Sequence, residues 1–245
     1  KVEIIISLMG GLGLFLYGMN LMGEALEKSA GSRLKKIIEL LTSNIIMGVL
    51  VGALVTAVIQ SSSATTVMVV GFVNAGIMNL YQAIGVIMGA NIGTTVTAQL
   101  VSFDVSILSS IALGIGIVLY MAGSKSKPML KNISEILIGF AILFIGMRFM
   151  KDAVAPLSQY TFVRSILASI ANKPILALLA GFLMTTCLQS SSASMGILIA
   201  LSSQGLMPLY GALPILYGDN IGTCVTSLIS SLGASKNAKR AAFMH

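Results

Sequence analysis

Between Glu39 and Asp104 the chain runs for 64 residues without a formal charge, and between Lys173 and Asp219 for another 45. A buried helix of a soluble domain accounts for about a dozen such residues. A bilayer segment needs about 20 apolar residues, so several of them account for both runs directly. Composition agrees. Hydrophobic residues make up 56% of the 245 and charged residues 9%, against about 25% charged in an average soluble domain. The apolar stretches are continuous rather than alternating, which excludes a transmembrane β-barrel. The reading is an all-α integral membrane protein. The net charge of +7 sits in short loops and amphipathic stretches, where cations anchor helices, so it is no nucleic-acid footprint.

Along the chain, Ile4 to Met22 reads as a span and Glu24 to Leu41 as an amphipathic helix. Ile45 to Ile59 is a limb of 15 residues, about 22 Å at 1.5 Å per residue and short of the roughly 30 Å core. It stops at Gln60-Ser61-Ser62-Ser63, and apolar character resumes over Ala64 to Ile77, which together reads as a re-entrant hairpin. Tyr81 to Val101 is a span interrupted by Gly89-Ala90-Asn91-Ile92-Gly93-Thr94-Thr95. Ile107 to Met121 is another span, followed by a basic loop from Gly123 to Lys131.

The rest repeats this order. Ile133 to Met150 is a span, and Val163, Ile166, Leu167 and Ile170 recur at helical spacing. Pro174 to Leu188 is a short limb that stops at Gln189-Ser190-Ser191-Ser192, and Ala193 to Leu201 follows. Tyr210 to Ser231 is interrupted at Gly218-Asp219-Asn220-Ile221-Gly222-Thr223. Shifting residues 60–102 by 129 lays them on 189–231 without a gap, with 18 of 43 positions identical. Gly18-Met19 falls on Gly146-Met147 at a shift of 128. The chain is therefore an internal duplication, residues 1–131 and 132–245. An odd number of spans separates equivalent points, so the second repeat is inverted. Inverted repeats with discontinuous helices are the pattern of a secondary transporter. The counterpart of Ile107–Met121 would begin near Lys236, so the second repeat reads as lacking its last helix.

Each Gln-Ser-Ser-Ser tip offers an amide, hydroxyls and backbone N–H groups at a helix start, which suit an anion. Inversion would bring the two tips together near the midplane. Unwound backbone at the Asn-Ile-Gly-Thr breaks would free carbonyls for a hard cation such as Na+. No Lys, Arg or His lies near either tip in sequence, so a bound metal cation is the means of neutralising an anion there. Asp219 falls on Ala90 in the repeat. A lone intramembrane acid is a candidate cation ligand or proton acceptor, the alternative being a place in a wet vestibule. A Ser nucleophile would lack a base, since the one histidine is His245, so an enzyme is disfavoured. Dead-end hairpins fit gating better than a continuous channel pore.

Duplicated Gln-Ser-Ser-Ser followed about 30 residues later by Asn-Ile-Gly-Thr resembles the type II sodium–phosphate cotransporter family. The resemblance implies a multi-pass protein of the cell (inner) membrane that couples inorganic phosphate to Na+ by alternating access. It implies phosphate and Na+ binding at Gln60, Ser61, Ser62, Ser63, Thr65, Asn91, Thr94 and Thr95. In the second repeat it implies the same of Gln189, Ser190, Ser191, Ser192, Ser194, Asn220 and Thr223. Cys224 stands where the first repeat has Thr95. Na+ is the coupling ion and no other cofactor is implied. A C-terminal domain of the phosphate-regulator type often follows in bacterial members, and a homo-oligomer is compatible with this reading. The alternatives are a carrier of another oxyanion or dicarboxylate, or a non-transporting membrane sensor.

Overall fold

The computed structural model describes residues 2–30, 36, 38, 44–103, 106–123 and 128–245. Those residues are nearly all helical, with no strand among them. In chain order the helices are α1 (Val2–Ala30), α2 (Ile45–Ile59), α3 (Ser62–Asn74), α4 (Leu80–Ser102), α5 (Ser106–Ala122) and α6 (Pro128–Val154). A 3-10 turn (Ala155–Gln159) leads to α7 (Thr161–Ala171), α8 (Pro174–Leu188), α9 (Ser191–Ser203), α10 (Leu209–Ser230) and α11 (Lys236–Met244). Among the described residues, α1, α4 and α6 are each long and apolar enough to cross a bilayer. The α7–α8 pair, bent by 103°, qualifies only if counted as one span. Helix α5 carries Ile107, Ile111, Ile115 and Val118 exposed along one face. An exposed apolar stripe of that length suits a lipid surface. The protein is a multi-pass membrane protein.

Packing divides the chain into two compact units. One comprises residues 26–100 and 223–245. Its helix starts are capped by side chains. Asn44 accepts from the Met47 N–H, and Asn79 and Gln82 each accept the other's backbone N–H at 3.0 Å, a reciprocal cap that starts α4. Its core is Val51, Val55 and Ile59 of α2, Val69, Val70 and Val73 of α3, Val86 and Ile87 of α4, and Ala238, Ala241 and Ala242 of α11. Ile38, an isolated described residue, is also buried there. Helices α2 and α4 run parallel at glycine distance. A Cβ on Gly52 would lie 2.1 Å from the Val86 carbonyl oxygen, and one on Gly89 2.0 Å from that of Val49.

The other unit comprises residues 1–25 and 101–222. Here α8 and α10 repeat the same contact. A Cβ on Gly181 would meet the Ile215 carbonyl oxygen at 2.1 Å, and one on Gly218 that of Leu178 at 2.0 Å. Adding 129 to the first set of numbers gives the second. Leu167 and Ile170 of α7 lie on a core of Ala177, Leu198, Met207 and Ile215, while Phe162 points outward. Helices α1 and α6 cross antiparallel through glycines. A Cβ on Gly18 would lie 2.6 Å from the Gly139 carbonyl oxygen, and one on Gly146 2.6 Å from that of Gly11. A shift of 128 turns the Gly11–Gly146 contact into the Gly139–Gly18 contact. Phe15, Met147 and Met150 close over this seam against Gly196 of α9.

Several expectations change. The Asn-Ile-Gly-Thr runs are not breaks: α4 and α10 are continuous helices through Gly89–Thr95 and Gly218–Thr223. Their glycines serve close approach to α2 and α8 rather than unwinding. The threonine hydroxyls bond their own helix, with Thr94 donating to the Ala90 carbonyl at 3.1 Å and Thr95 to that of Ile92 at 2.7 Å. Glu24 to Ala30 continues α1 instead of starting a separate helix. Leu34, Ile37 and Leu41 of that expected helix, and Lys125 and Lys127 of the basic loop, lie outside the described residues. The Ser runs do stand at helix starts, as expected, with Ser62, Ser63, Ser191 and Ser192 opening α3 and α9. Helix α11 begins where the repeat shift puts the counterpart of Ile107–Met121.

Candidate functional site

Each limb ends in the same way. Gln60 closes α2 at φ 59°, and Gln189 closes α8 at φ 52°. The left-handed region is uncommon for a long side chain, and such outliers persist where the surroundings hold them. The Gln60 N–H bonds the Thr56 carbonyl at 2.7 Å, and its Nε2 donates to the Ala57 carbonyl. Its Oε1 accepts from the Thr97 hydroxyl at 2.8 Å. In the second repeat Gln189 donates through Nε2 to the Thr186 carbonyl at 2.6 Å. Ser61 and Ser190 follow in extended backbone. Each caps the next helix, accepting from the Ala64 and Ala193 N–H at 3.1 and 3.2 Å. The turn therefore starts α3 and α9 with their first N–H groups at the tip, the donor end of the helix dipole.

Behind each tip lies a hydroxyl pair. In the first repeat Thr56 donates to Thr65 at 2.9 Å, and Thr65 in turn donates to the Ser61 carbonyl at 3.1 Å. Ala90, fully buried, is the residue of α4 at this level. In the second repeat Thr185 and Ser194 stand in place of Thr56 and Thr65. Both instead donate to Asp219 Oδ1, at 2.9 and 2.6 Å. Asp219 is 1% exposed and Ser194 fully buried. A carboxylate so placed needs charge-assisted partners, and two hydroxyls supply them. The two repeats thus build one scaffold with different chemistry, neutral in the first and acidic in the second.

The other expected residues are placed unevenly. Thr65 is fully buried, Ser62 and Thr223 are buried, and Ser61, Ser63, Thr94, Ser190, Ser191 and Ser192 are half-buried. Asn91, Thr95, Gln189 and Asn220 are exposed. Asn91 Oδ1 accepts from His245 Nε2 at 3.0 Å, while His245 Nδ1 lies 2.6 Å from the Ser227 hydroxyl. Burial lowers the His245 pKa below the usual imidazole range, which fits a neutral ring that accepts at one nitrogen and donates at the other. Sequence reasoning passed over Thr56, Thr97, Thr185 and Ser227. The signal for the first and third was present, because Thr56 and Thr185 are themselves 129 apart, just outside the compared window. Among the described residues no group of three His, Cys, Asp or Glu side chains is arranged to hold a metal ion. The oxygen donors fit an alkali cation better than a transition metal.

A family model described as Na+/Pi-cotransporter matches residues 14–152 and 155–244. The chain belongs to the Na+/Pi-cotransporter family. That family is one of phosphate transporters. Among curated relatives, the uncharacterized protein YqeW of Bacillus subtilis is 29% identical over 242 residues, covering 99% of this chain and 78% of its own length. The putative inorganic phosphate export protein YjbB of Escherichia coli K12 is 26% identical over 238 residues. That match takes in 97% of this chain but 44% of YjbB, so the chain spans less than half of that relative. Sodium-dependent phosphate transport protein 2A of Rattus norvegicus is 36% identical over 97 residues, 39% of this chain and 15% of that protein. No solved structure matches.

Proposed function

We propose that the chain is the membrane core of a sodium-coupled inorganic phosphate symporter working by alternating access, with phosphate and Na+ bound at the Gln-Ser-Ser-Ser tips. The observation that carries this is the twofold occurrence of one local structure. It combines a left-handed Gln, a capping Ser, free N–H groups opening a helix, and a buried hydroxyl pair within the next turn. The N–H groups and Ser hydroxyls suit phosphate oxygens. The buried hydroxyls and, in the second repeat, Asp219 suit Na+, whose charge offsets that of the anion. The relatives' names support phosphate as the substrate and sodium as the coupling ion. The antiparallel α1–α6 crossing, which maps onto itself under the repeat shift, supports the inverted relation between the halves. A second reading, phosphate export, is favoured by the name of YjbB, which matches nearly the whole chain.

Radiolabelled phosphate flux in proteoliposomes tests this, with the Na+ gradient directed inward, directed outward and replaced by K+. Uptake that follows the Na+ gradient supports symport. Flux independent of Na+ overturns it, and flux that runs only outward favours export. Ser62→Ala and Ser191→Ala are expected to weaken phosphate uptake about tenfold or more, near the 1.4 kcal/mol of one lost hydrogen bond to a charged group. Unchanged uptake in both variants would remove the tips from the site.

A further inference from the structure

A polar cavity of about 340 Å3 lies in the unit of residues 1–25 and 101–222. Phe103 follows the end of α4, Ser109 and Ser110 lie near the start of α5, Arg148, Lys151 and Asp152 lie near the end of α6, and Gln204 caps α9. Four helix ends therefore meet around it. Along α9, Gln204 is 13 helical residues from the Ser190 tip, about 20 Å at 1.5 Å per residue. The cavity is thus separate from the tip, at the end of the membrane helices rather than at their interior turns.

Its charges are unusual for this chain. Arg148 and Lys151 are one turn apart on the same face of α6. Among the described residues no carboxylate lies within ion-pair distance of either, although Asp152 shares the cavity wall. Among the described lining residues, two cations and one carboxylate leave one net positive charge. We propose that this cavity binds a singly charged phosphate group, with the Arg148 guanidinium gripping two phosphate oxygens and Lys151 adding a point charge. The phosphodiester of an anionic phospholipid carries one negative charge and sits at the depth where membrane helices end, and a cationic cleft between helices suits it. Free inorganic phosphate, in its singly charged dihydrogen form, carries the same chemistry from the aqueous side. Either occupant neutralises the cavity, which a zwitterionic headgroup does not.

The experiment is thermal unfolding of the full chain in detergent, in a choline buffer free of Na+. It is titrated with short-chain phosphatidylglycerol, with the matched phosphatidylcholine, or with inorganic phosphate. A saturable rise in midpoint with phosphatidylglycerol and none with phosphatidylcholine identifies a lipid site. The same rise with inorganic phosphate alone identifies the free ion. In either case R148Q/K151Q is expected to raise the half-saturating concentration at least tenfold. Asp152→Asn, which leaves the cavity with two positive charges, is expected to lower it about threefold or more. The proposal is overturned if neither phosphate source shifts the wild-type midpoint, or if the shift is indifferent to these substitutions. Should the double variant fail to fold, an unchanged half-saturating concentration in Asp152→Asn overturns it alone.

Discussion

Asp219→Asn is expected to raise the Na+ concentration for half-maximal phosphate uptake by about tenfold or more, a cost near 1.4 kcal/mol in cation binding. The amide keeps the shape of the carboxylate and can still accept from Thr185 and Ser194, which now donate to Oδ1 at 2.9 and 2.6 Å. What it loses is the negative charge, and in a site shielded from water a full charge near a cation outweighs the dipole of an amide. Asp219→Ala is expected to do more, because both hydroxyls then lose their buried acceptor, at about 1–3 kcal/mol for each unsatisfied group. The measurement is the Na+ dependence of phosphate flux in proteoliposomes at fixed phosphate. A Na+ half-activation unchanged in Asp219→Asn would assign the carboxylate to helix packing instead of the coupling ion.

Gly89→Ala and Gly218→Ala are expected to lower stability by about 2–3 kcal/mol each, the upper range for overpacking a close contact. In both, the new Cβ would lie 2.0 Å from a carbonyl oxygen, of Val49 or of Leu178. A side chain can turn aside, but a backbone oxygen moves only if α2 parts from α4, or α8 from α10. Gly71→Ala and Gly114→Ala are the controls. Nothing lies within 4 Å of either Cβ, so they are expected to be neutral or slightly stabilising through better helix propensity. Detergent-dependent thermal unfolding of the four variants tests the pattern. Equal midpoints in all four would show that the helices are less closely held than their glycines indicate.

The two pairs also show what was legible in the sequence. The limbs Ile45–Ile59 and Pro174–Leu188 were readable to the residue, because a polar Gln ends each apolar run and the backbone turns at that Gln. The helical spacing of Val163, Ile166, Leu167 and Ile170 likewise gave α7. Gly89, Gly93, Gly218 and Gly222 were misread as helix breaks. A glycine in an apolar helix serves equally for a kink or for a neighbour's close approach, and only the positions of Val49, Ala53, Leu178 and Phe182 decide between them. Asp219 drew attention as a lone acid, but its two donors come from other helices, and no local pattern pairs them with it. The continuation of α1 through Ala30 was hidden because charge enters at Glu24 while helix propensity does not fall.

The α1–α6 seam carries a consequence of its own. A helix that packs on its own duplicate follows the arithmetic of a self-complementary interface, in which one contact implies its mirror. A substitution at Gly11 therefore has its counterpart at Gly139, and one at Gly18 its counterpart at Gly146, so the seam reads alike from either helix. Ala90 and Asp219 mark where that likeness ends, since the cradle that is neutral at the one carries a charge at the other.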